Sequence, residues 1–210
     1  MPAHLVVLDV DSTLITAEVI ELLAERAGSR AEVAAVTDLA MRGEIDFAES
    51  LKQRVATLAG LPTSVFADVL DEIEFTPGAQ ALVATFQQRG WTAALVSGGF
   101  VEVVEPLAAK VNITLFRANR LEAVDGILTG RTVGPVVDSA AKAHALEEFA
   151  GQLNIPIAHT IAIGDGANDL GMMAAAGLGI AFNAKPKVQQ LADVAVNAAS
   201  LEAVLDVIEY

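Results

Sequence analysis

Asp9 and Asp11 close an apolar run, VVLDVDSTL at 6–14. In an extended segment residues i and i+2 point to the same side, so the two carboxylates lie close together and raise each other's pKa unless a cation intervenes. A second pair, Asp165 and Asp169, sits in GDGANDLGM at 164–172, on a glycine-broken turn that leads into a helix. Alone, that stretch reads equally well as a plain strand-to-helix loop in which Asp169 favours the helix N-terminus. Taken with DVDST it implies more: several aspartates brought to one place repel one another without a hard cation, and all-oxygen ligation suits Mg²⁺. Ser97-Gly98-Gly99 has two readings of the same kind. It is a flexible turn, or its hydroxyl and the N–H groups of Gly98 and Gly99 cradle a phosphate at a helix N-terminus. Lys142 falls just inside a helix that opens at Asp138 or Ser139. A cation there opposes the helix dipole, a cost offset by a facing anion; otherwise it is a solvated surface lysine.

The elements that must position these residues can be read from the rest of the chain. Short apolar runs recur at 4–9, 92–97, 159–165 and 177–182, separated by segments of helical spacing. That alternation predicts an α/β fold, a Rossmann-like parallel sheet covered on both faces, whose chemistry lies at the carboxyl ends of the strands. Roughly eighty residues separate the first two strands, far more than one crossover helix needs, so an insertion is expected. Its helices are predicted at 17–27, 31–42, 46–58 and 62–73, punctuated by Gly28, Gly43, Gly60 and Pro62. The core is then 1–15 and 76–210, and the inserted helical unit 16–75. Asp125-Gly126, inside LEAVDGILTG, predicts a hairpin. Pro106 predicts that the helix after SGGF starts late or kinks.

With 210 residues and 53% hydrophobic content the chain can bury a substantial core as one domain with an insertion. A formal net charge of −14 argues against nucleic acid or an anionic membrane as partner, and any anionic substrate must be drawn in by a local site. With no cysteine, disulfides and thiolate metal sites are excluded. Only Leu5 to Leu8 form an apolar run before Asp9, without a positive stretch ahead of it, which is not a signal-peptide pattern. The reading is a soluble, cytoplasmic protein, monomer or homodimer.

DVDST, SGG, Lys142 and GDGANDLGM, in this order and spacing, resemble the four motifs of the haloacid-dehalogenase-like phosphotransferases. The resemblance covers the whole chain, and the ordered set is highly specific where each motif alone is modest. DxDST followed by Glu18, the stretch ANRLEAVDGILTG and the helical insertion are more closely similar to the branch that hydrolyses O-phospho-L-serine. The resemblance implies that Asp9 is the nucleophile and Asp11 the general acid and base. It implies Mg²⁺ held by Asp9, the main-chain carbonyl of Asp11 and Asp165, with Asp169 orienting that shell. Ser97, Gly98, Lys142 and Asn168 would hold the phosphoryl oxygens. The insertion becomes a cap closing over the substrate, in which Glu18 meets the ammonium, Arg54 the carboxylate, and Met41 and Phe47 form an apolar wall. Phe47 and Arg54, seven apart, share one face of a helix. Many relatives carry an added amino-acid-sensing domain, and none is expected here.

Two rival activities share these motifs: a phosphatase or phosphotransferase for another small phosphomonoester, and a receiver-like signalling domain whose aspartate is phosphorylated. The second lacks a cap and has no proton-transfer role for Asp11.

Overall fold

The computed structural model describes residues 3–42 and 44–208; Gly43, expected to stop a helix, lies outside them. Seven strands, β1 (Leu5–Leu8), β2 (Thr92–Phe100), β3 (Leu115–Val124), β4 (Ile127–Val133), β5 (Thr160–Gly164), β6 (Leu178–Phe182) and β7 (Val194–Val196), form one sheet in the order β4-β3-β2-β1-β5-β6-β7. All neighbours are parallel except β3 and β4. The four residues of β1 are fully buried because both faces of the sheet are covered, which is why the strand is apolar throughout rather than alternating. Its alternation still sorts the two layers. Val6 and Leu8 face α5 (Ala79–Gln88) and α6 (Val101–Lys110), while Leu5 and Val7 face α7 (Ser139–Leu153) and α8 (Leu170–Ala175). The short α9 (Pro186–Leu191) adds Val188 to the second layer.

Register explains how distant motifs meet. Leu8 pairs with Leu95 on one side and Ile163 on the other, so Asp9, Ser97 and Asp165 leave the sheet at one edge. The strand order reverses at β1, the place where an open parallel sheet leaves a crevice. Ser97, Gly98 and Gly99 do not form a loop after the strand, as expected, but belong to β2 itself. Val96 pairs with Arg117 and Phe100 with Asn119, so two extra residues of β2 bulge out of the pairing with β3 there. Nor does α6 start late: it begins at Val101 and carries Pro106 inside it, where the ring nitrogen has no N–H to offer the carbonyl four residues back.

Between β1 and α5 the chain leaves the sheet and returns through a narrow neck. Ile15 pairs with Phe75, the Thr16 N–H donates to the Glu74 carbonyl at 3.0 Å, and the Thr76 N–H donates to that of Leu14 at 3.0 Å. The insertion contains four helices, α1 (Val19–Ala27), α2 (Arg30–Met41), α3 (Phe47–Ala56) and α4 (Val65–Glu72), within a few residues of their expected positions. Asp46 caps α3 by accepting from the Glu49 N–H, and Gly28 ends α1 with a left-handed backbone.

The β3–β4 hairpin turns at Asp125-Gly126, both with positive φ, as that dipeptide demands. Its tip, residues 123–127, is exposed, but the backbone beside it is bonded to the insertion. Gly60 donates to the Leu128 carbonyl at 2.9 Å, Leu128 to Leu61 at 2.8 Å and Thr63 to Gly126 at 2.8 Å, so the α3–α4 connection is stitched to the hairpin. Gly130 makes this possible: at φ 79° a Cβ would lie 3.0 Å from the Ala59 methyl and 3.1 Å from the Ala56 carbonyl oxygen. Gly130→Ala therefore meets both backbone strain and a steric clash. It should lower stability by about 1–3 kcal/mol, read as a fall in Tm by thermal unfolding. An unchanged Tm would mean that the hairpin does not bear on the insertion.

Candidate active site

Asp9 leaves β1 at its carboxyl end with its N–H donated to the Ile163 carbonyl at 2.9 Å, which ties its backbone to β5. Oδ1 accepts from Lys142 Nζ at 2.6 Å, and the same ammonium donates to Asp169 Oδ1 at 2.6 Å. Lys142 is wholly buried, so the sequence alternative of a solvated surface lysine is overturned. It sits in the first turn of α7, whose N-terminus is capped by Asp138 accepting from the Ala141 N–H. Burial disfavours its charge, yet Asp169 and Asp9 together raise its pKa above the ordinary lysine value.

After Asp9 the chain makes one irregular turn in which Ser12 adopts φ 56°, a left-handed backbone uncommon for serine. That turn aims Asp11 back at the sheet edge, where Oδ1 accepts from the Val19 N–H at 2.8 Å and Oδ2 from the Ser97 hydroxyl at 3.2 Å. The Gly99 N–H donates to Ser97 Oγ at 2.8 Å. It is thus turned inward by the bulge, instead of offering itself to an anion as the sequence predicts. A side chain is excluded at Gly99, since its Cβ would meet Asp11 Oδ2 at 2.6 Å.

Asp165 and Asp169 flank a short turn between β5 and α8. Asp169 Oδ2 accepts from the N–H groups of Asp165 at 3.1 Å and Gly166 at 3.0 Å, and with Lys142 on Oδ1 both of its oxygens are engaged. Asp165 Oδ1 accepts from the Thr13 hydroxyl at 3.2 Å. Carboxylate oxygens of Asp9, Asp165 and Asp169 lie within 4.8 Å of one another, all buried. One buried ammonium against three carboxylates leaves the cluster short of positive charge, and its donors are all oxygen, which fits a hard divalent cation. Burial, and then the charge of Asp169, push Asp9 up to about 7; burial followed by Asp169 and Asp9 pushes Asp165 well above the usual range. Burial also raises Asp11, against the hydrogen bond from Val19.

Above this edge lies a cavity between the core and the insertion. Asp9, Asp11 and Asn168 of the core line it together with Glu18, Arg54 and the apolar Met41 and Phe47 of the insertion. Gly98 leaves room for Phe47, whose ring carbon would be 2.7 Å from a Cβ there. Glu18 Oε1 accepts from the Ser12 hydroxyl at 2.6 Å; burial, then Asp11, push this carboxyl up to about 8. Arg54 is 3% exposed, stands over the Phe47 ring at 5.8 Å, and has its pKa lowered by burial.

The structure thus brings together Asp9, Asp11, Glu18, Met41, Phe47, Arg54, Gly98 and Asn168 around the cavity, with Ser97, Lys142, Asp165 and Asp169 directly behind it. Sequence reasoning missed Ser12 and Thr13, although both stand in the quoted DVDST, and it missed Thr37 and Ser50, which hold Arg54. It also missed Asn119, which donates to the Gly98 carbonyl and accepts from the Val137 N–H, fixing the bulge to the chain entering α7.

The chain matches the family described as haloacid dehalogenase-like hydrolase over residues 6–174. It is 54% identical over 202 residues to the phosphoserine phosphatase SerB2 of Mycobacterium tuberculosis, spanning 96% of this chain but 49% of that protein. With the phosphoserine phosphatase of Lactococcus lactis it shares 47% identity over 205 residues, 98% of this chain and 95% of the relative. A solved phosphoserine phosphatase bearing a phospho-aspartyl intermediate analogue superposes with a TM-score of 0.96 at 38% identity, covering all of both chains. A substrate-bound phosphoserine phosphatase complex does so with a TM-score of 0.96 at 37% identity. The chain therefore spans about half of the mycobacterial relative and nearly all of the lactococcal one.

Asp9, Glu18 and Asp165 hold their protons more tightly folded than unfolded. Their contribution to stability is thus fully present below the unfolded pKa of about 4 and is lost as pH rises through the folded values. Without metal, Tm should fall by roughly 5–10 °C between about pH 5.5 and 8.5. A divalent cation should remove most of that slope. Asp165→Asn should raise the metal-free Tm at the upper pH and abolish the response to cation; a flat metal-free profile would refute the charge account.

Proposed function

The chain belongs to the haloacid dehalogenase-like hydrolases, and from that membership and the cavity's chemistry we propose that it hydrolyses O-phospho-L-serine to L-serine and phosphate, the final step of serine synthesis. One observation carries the proposal: one cavity is lined by the carboxylates of Asp9 and Asp11 and also by Glu18 and Arg54. A phosphate ester, an ammonium and a carboxylate find their chemical complements there.

In this reading Asp9 attacks phosphorus and forms an aspartyl phosphate, while Asp11 protonates the departing serine oxygen and then takes a proton from the attacking water. Burial, which raises the pKa of Asp11, supports its role as an acid; the Val19 N–H and the Ser97 hydroxyl hold it in one orientation. Mg²⁺ would be held by Asp9, the Asp11 carbonyl and Asp165, and when bound it neutralises charge on the phosphoryl oxygens. Asp169, with both oxygens already engaged, positions Lys142 and the backbone of Asp165. Lys142, Ser97, Gly98 and Asn168 receive the phosphoryl oxygens, Glu18 the ammonium and Arg54 the carboxylate, with Met41 and Phe47 packed against the aliphatic part.

Residues 16–75 act as a cap over the core of 1–15 and 76–210, excluding water during the first transfer. The hairpin bonds to the α3–α4 connection and the Asp38–Lys185 ion pair at 3.1 Å, from α2 to the start of α9, are what such a cap would use to close. Among the described residues no helix is long and apolar enough to cross a membrane; a reaction of amino-acid synthesis supports a cytoplasmic location.

Phosphate release should show many turnovers on L-phosphoserine with Mg²⁺, abolished by EDTA, and reduced by about 10³-fold or more in Asp9→Asn. Phosphoethanolamine, lacking the carboxylate, and phosphoglycolate, lacking the amine, should be poor substrates. Comparable turnover of either analogue would retain a phosphatase and discard phosphoserine. A stable phospho-Asp9 after one equivalent would favour the signalling domain.

The cap residues carry a separate expectation. Arg54→Ala should raise KM for phosphoserine by about 10²-fold while leaving the slow turnover of phosphoethanolamine much less affected. Equal losses on both substrates would remove Arg54 from carboxylate recognition.

A further inference from the structure

Arg54 is a buried cation whose recorded hydrogen bonds go to neutral oxygens. Nε donates to the Ser50 carbonyl at 3.1 Å and Nη2 to the Ser50 hydroxyl at 3.4 Å, both within α3. Nη1 donates to the Thr37 hydroxyl at 3.0 Å, across from α2. A guanidinium has five N–H groups. Among the described residues three are used, which leaves one on each terminal nitrogen, the pair that a carboxylate takes in a bidentate contact.

The two holding groups differ in what they fix. Ser50 lies one helical turn before Arg54, and its own hydroxyl donates to the Phe47 carbonyl at 2.8 Å, so it steers the side chain along α3. Its two bonds hold Nε and one N–H of Nη2, and leave both N–H groups of Nη1 uncommitted. Thr37, 3% exposed and on a different helix, consumes one N–H of Nη1 and so sets the roll of the guanidinium about its long axis. Without that acceptor, a buried donor is left unsatisfied and competes for any oxygen within reach.

We propose that Thr37 is a positioning residue for substrate selection, presenting the two remaining N–H groups of Arg54 to the carboxylate of the substrate. The inference rests on the phosphoserine reading above, because it assigns a further residue to the same recognition. Thr37 touches Arg54 and performs no chemistry, so its effect falls on binding and discrimination.

The test is steady-state kinetics of the full chain with L-phosphoserine and phosphoethanolamine, for the unaltered protein, Thr37→Val, Thr37→Ser and Arg54→Ala. Thr37→Val keeps the volume and removes the acceptor. It should raise KM for phosphoserine by about 10-fold with kcat changed less than about 3-fold, and shrink the preference over phosphoethanolamine by a similar factor. Thr37→Ser restores the hydroxyl and should recover most of that preference. A parallel loss on both substrates, or failure of serine to rescue, would mean that Thr37 only packs the two helices and would overturn the proposal. If Arg54→Ala destroys the preference while Thr37→Val leaves it intact, the phosphoserine reading stands and the role of Thr37 falls. If the unaltered protein shows no preference for phosphoserine, both fall together.

Discussion

The structure is organised around one electrostatic constraint, the packing of buried Asp9, Asp165 and Asp169 beside half-buried Asp11 and Glu18, with Lys142 as the ammonium among them. Carboxylates so placed repel one another and lose hydration, and proteins normally neutralise such groups by raising their pKa. The raised values at Asp9, Asp165 and Glu18 record that tendency. Backbone dipoles offset part of the cost. Asp169 accepts two N–H groups of its own turn and Asp11 the first N–H of α1, so the strand ends and a helix start are arranged as donors before any ligand arrives. The parallel sheet makes this possible, because its carboxyl edge delivers three chain segments to one point with their N–H groups turned inward.

Lys142 links the two halves of the problem. Its ammonium bridges Asp9 and Asp169, so the residue proposed to attack phosphorus and the residue that fixes the last turn share a single proton donor. Any change that removes Asp169 therefore leaves Lys142 held by Asp9 alone and alters the environment of Asp9. Losses at these three positions should be strongly non-additive, since a network that acts as a unit fails as one.

The sheet was legible because strands buried on both sides must be apolar runs, and β1, β2, β5 and β6 all satisfy that condition. The four helices of the insertion were legible through Gly28, Asp46 and the 3.6-residue periodicity, and the hairpin through Asp125-Gly126. Three features were hidden for a common reason, that each depends on what lies opposite. β7 has only three residues, too short for a pattern. The bulge at Ser97 to Gly99 exists only through unequal pairing with β3, and it overturned the reading of that stretch as a helix-entry loop. The Thr37–Arg54 contact joins two helices whose relative placement no local spacing encodes. Among the site residues, Asp9, Asp11, Asp165 and Asp169 announced themselves by repulsion. Glu18, Arg54, Met41 and Phe47 did so through family resemblance, with helical spacing tying Phe47 to Arg54.

In the reaction we propose, the substrate completes the charge pattern that the protein leaves open. Glu18 is pushed towards its protonated form by burial and by Asp11, so an ammonium arriving beside it favours the ionised carboxylate and relieves part of that repulsion. Arg54 is disfavoured by burial and holds only neutral acceptors, so a carboxylate relieves the opposite imbalance. A zwitterion therefore corrects two errors of opposite sign at once, whereas an analogue missing either charge leaves one buried group uncompensated. Selectivity then follows from the cost of an unpaired buried ion more than from the attraction of a paired one.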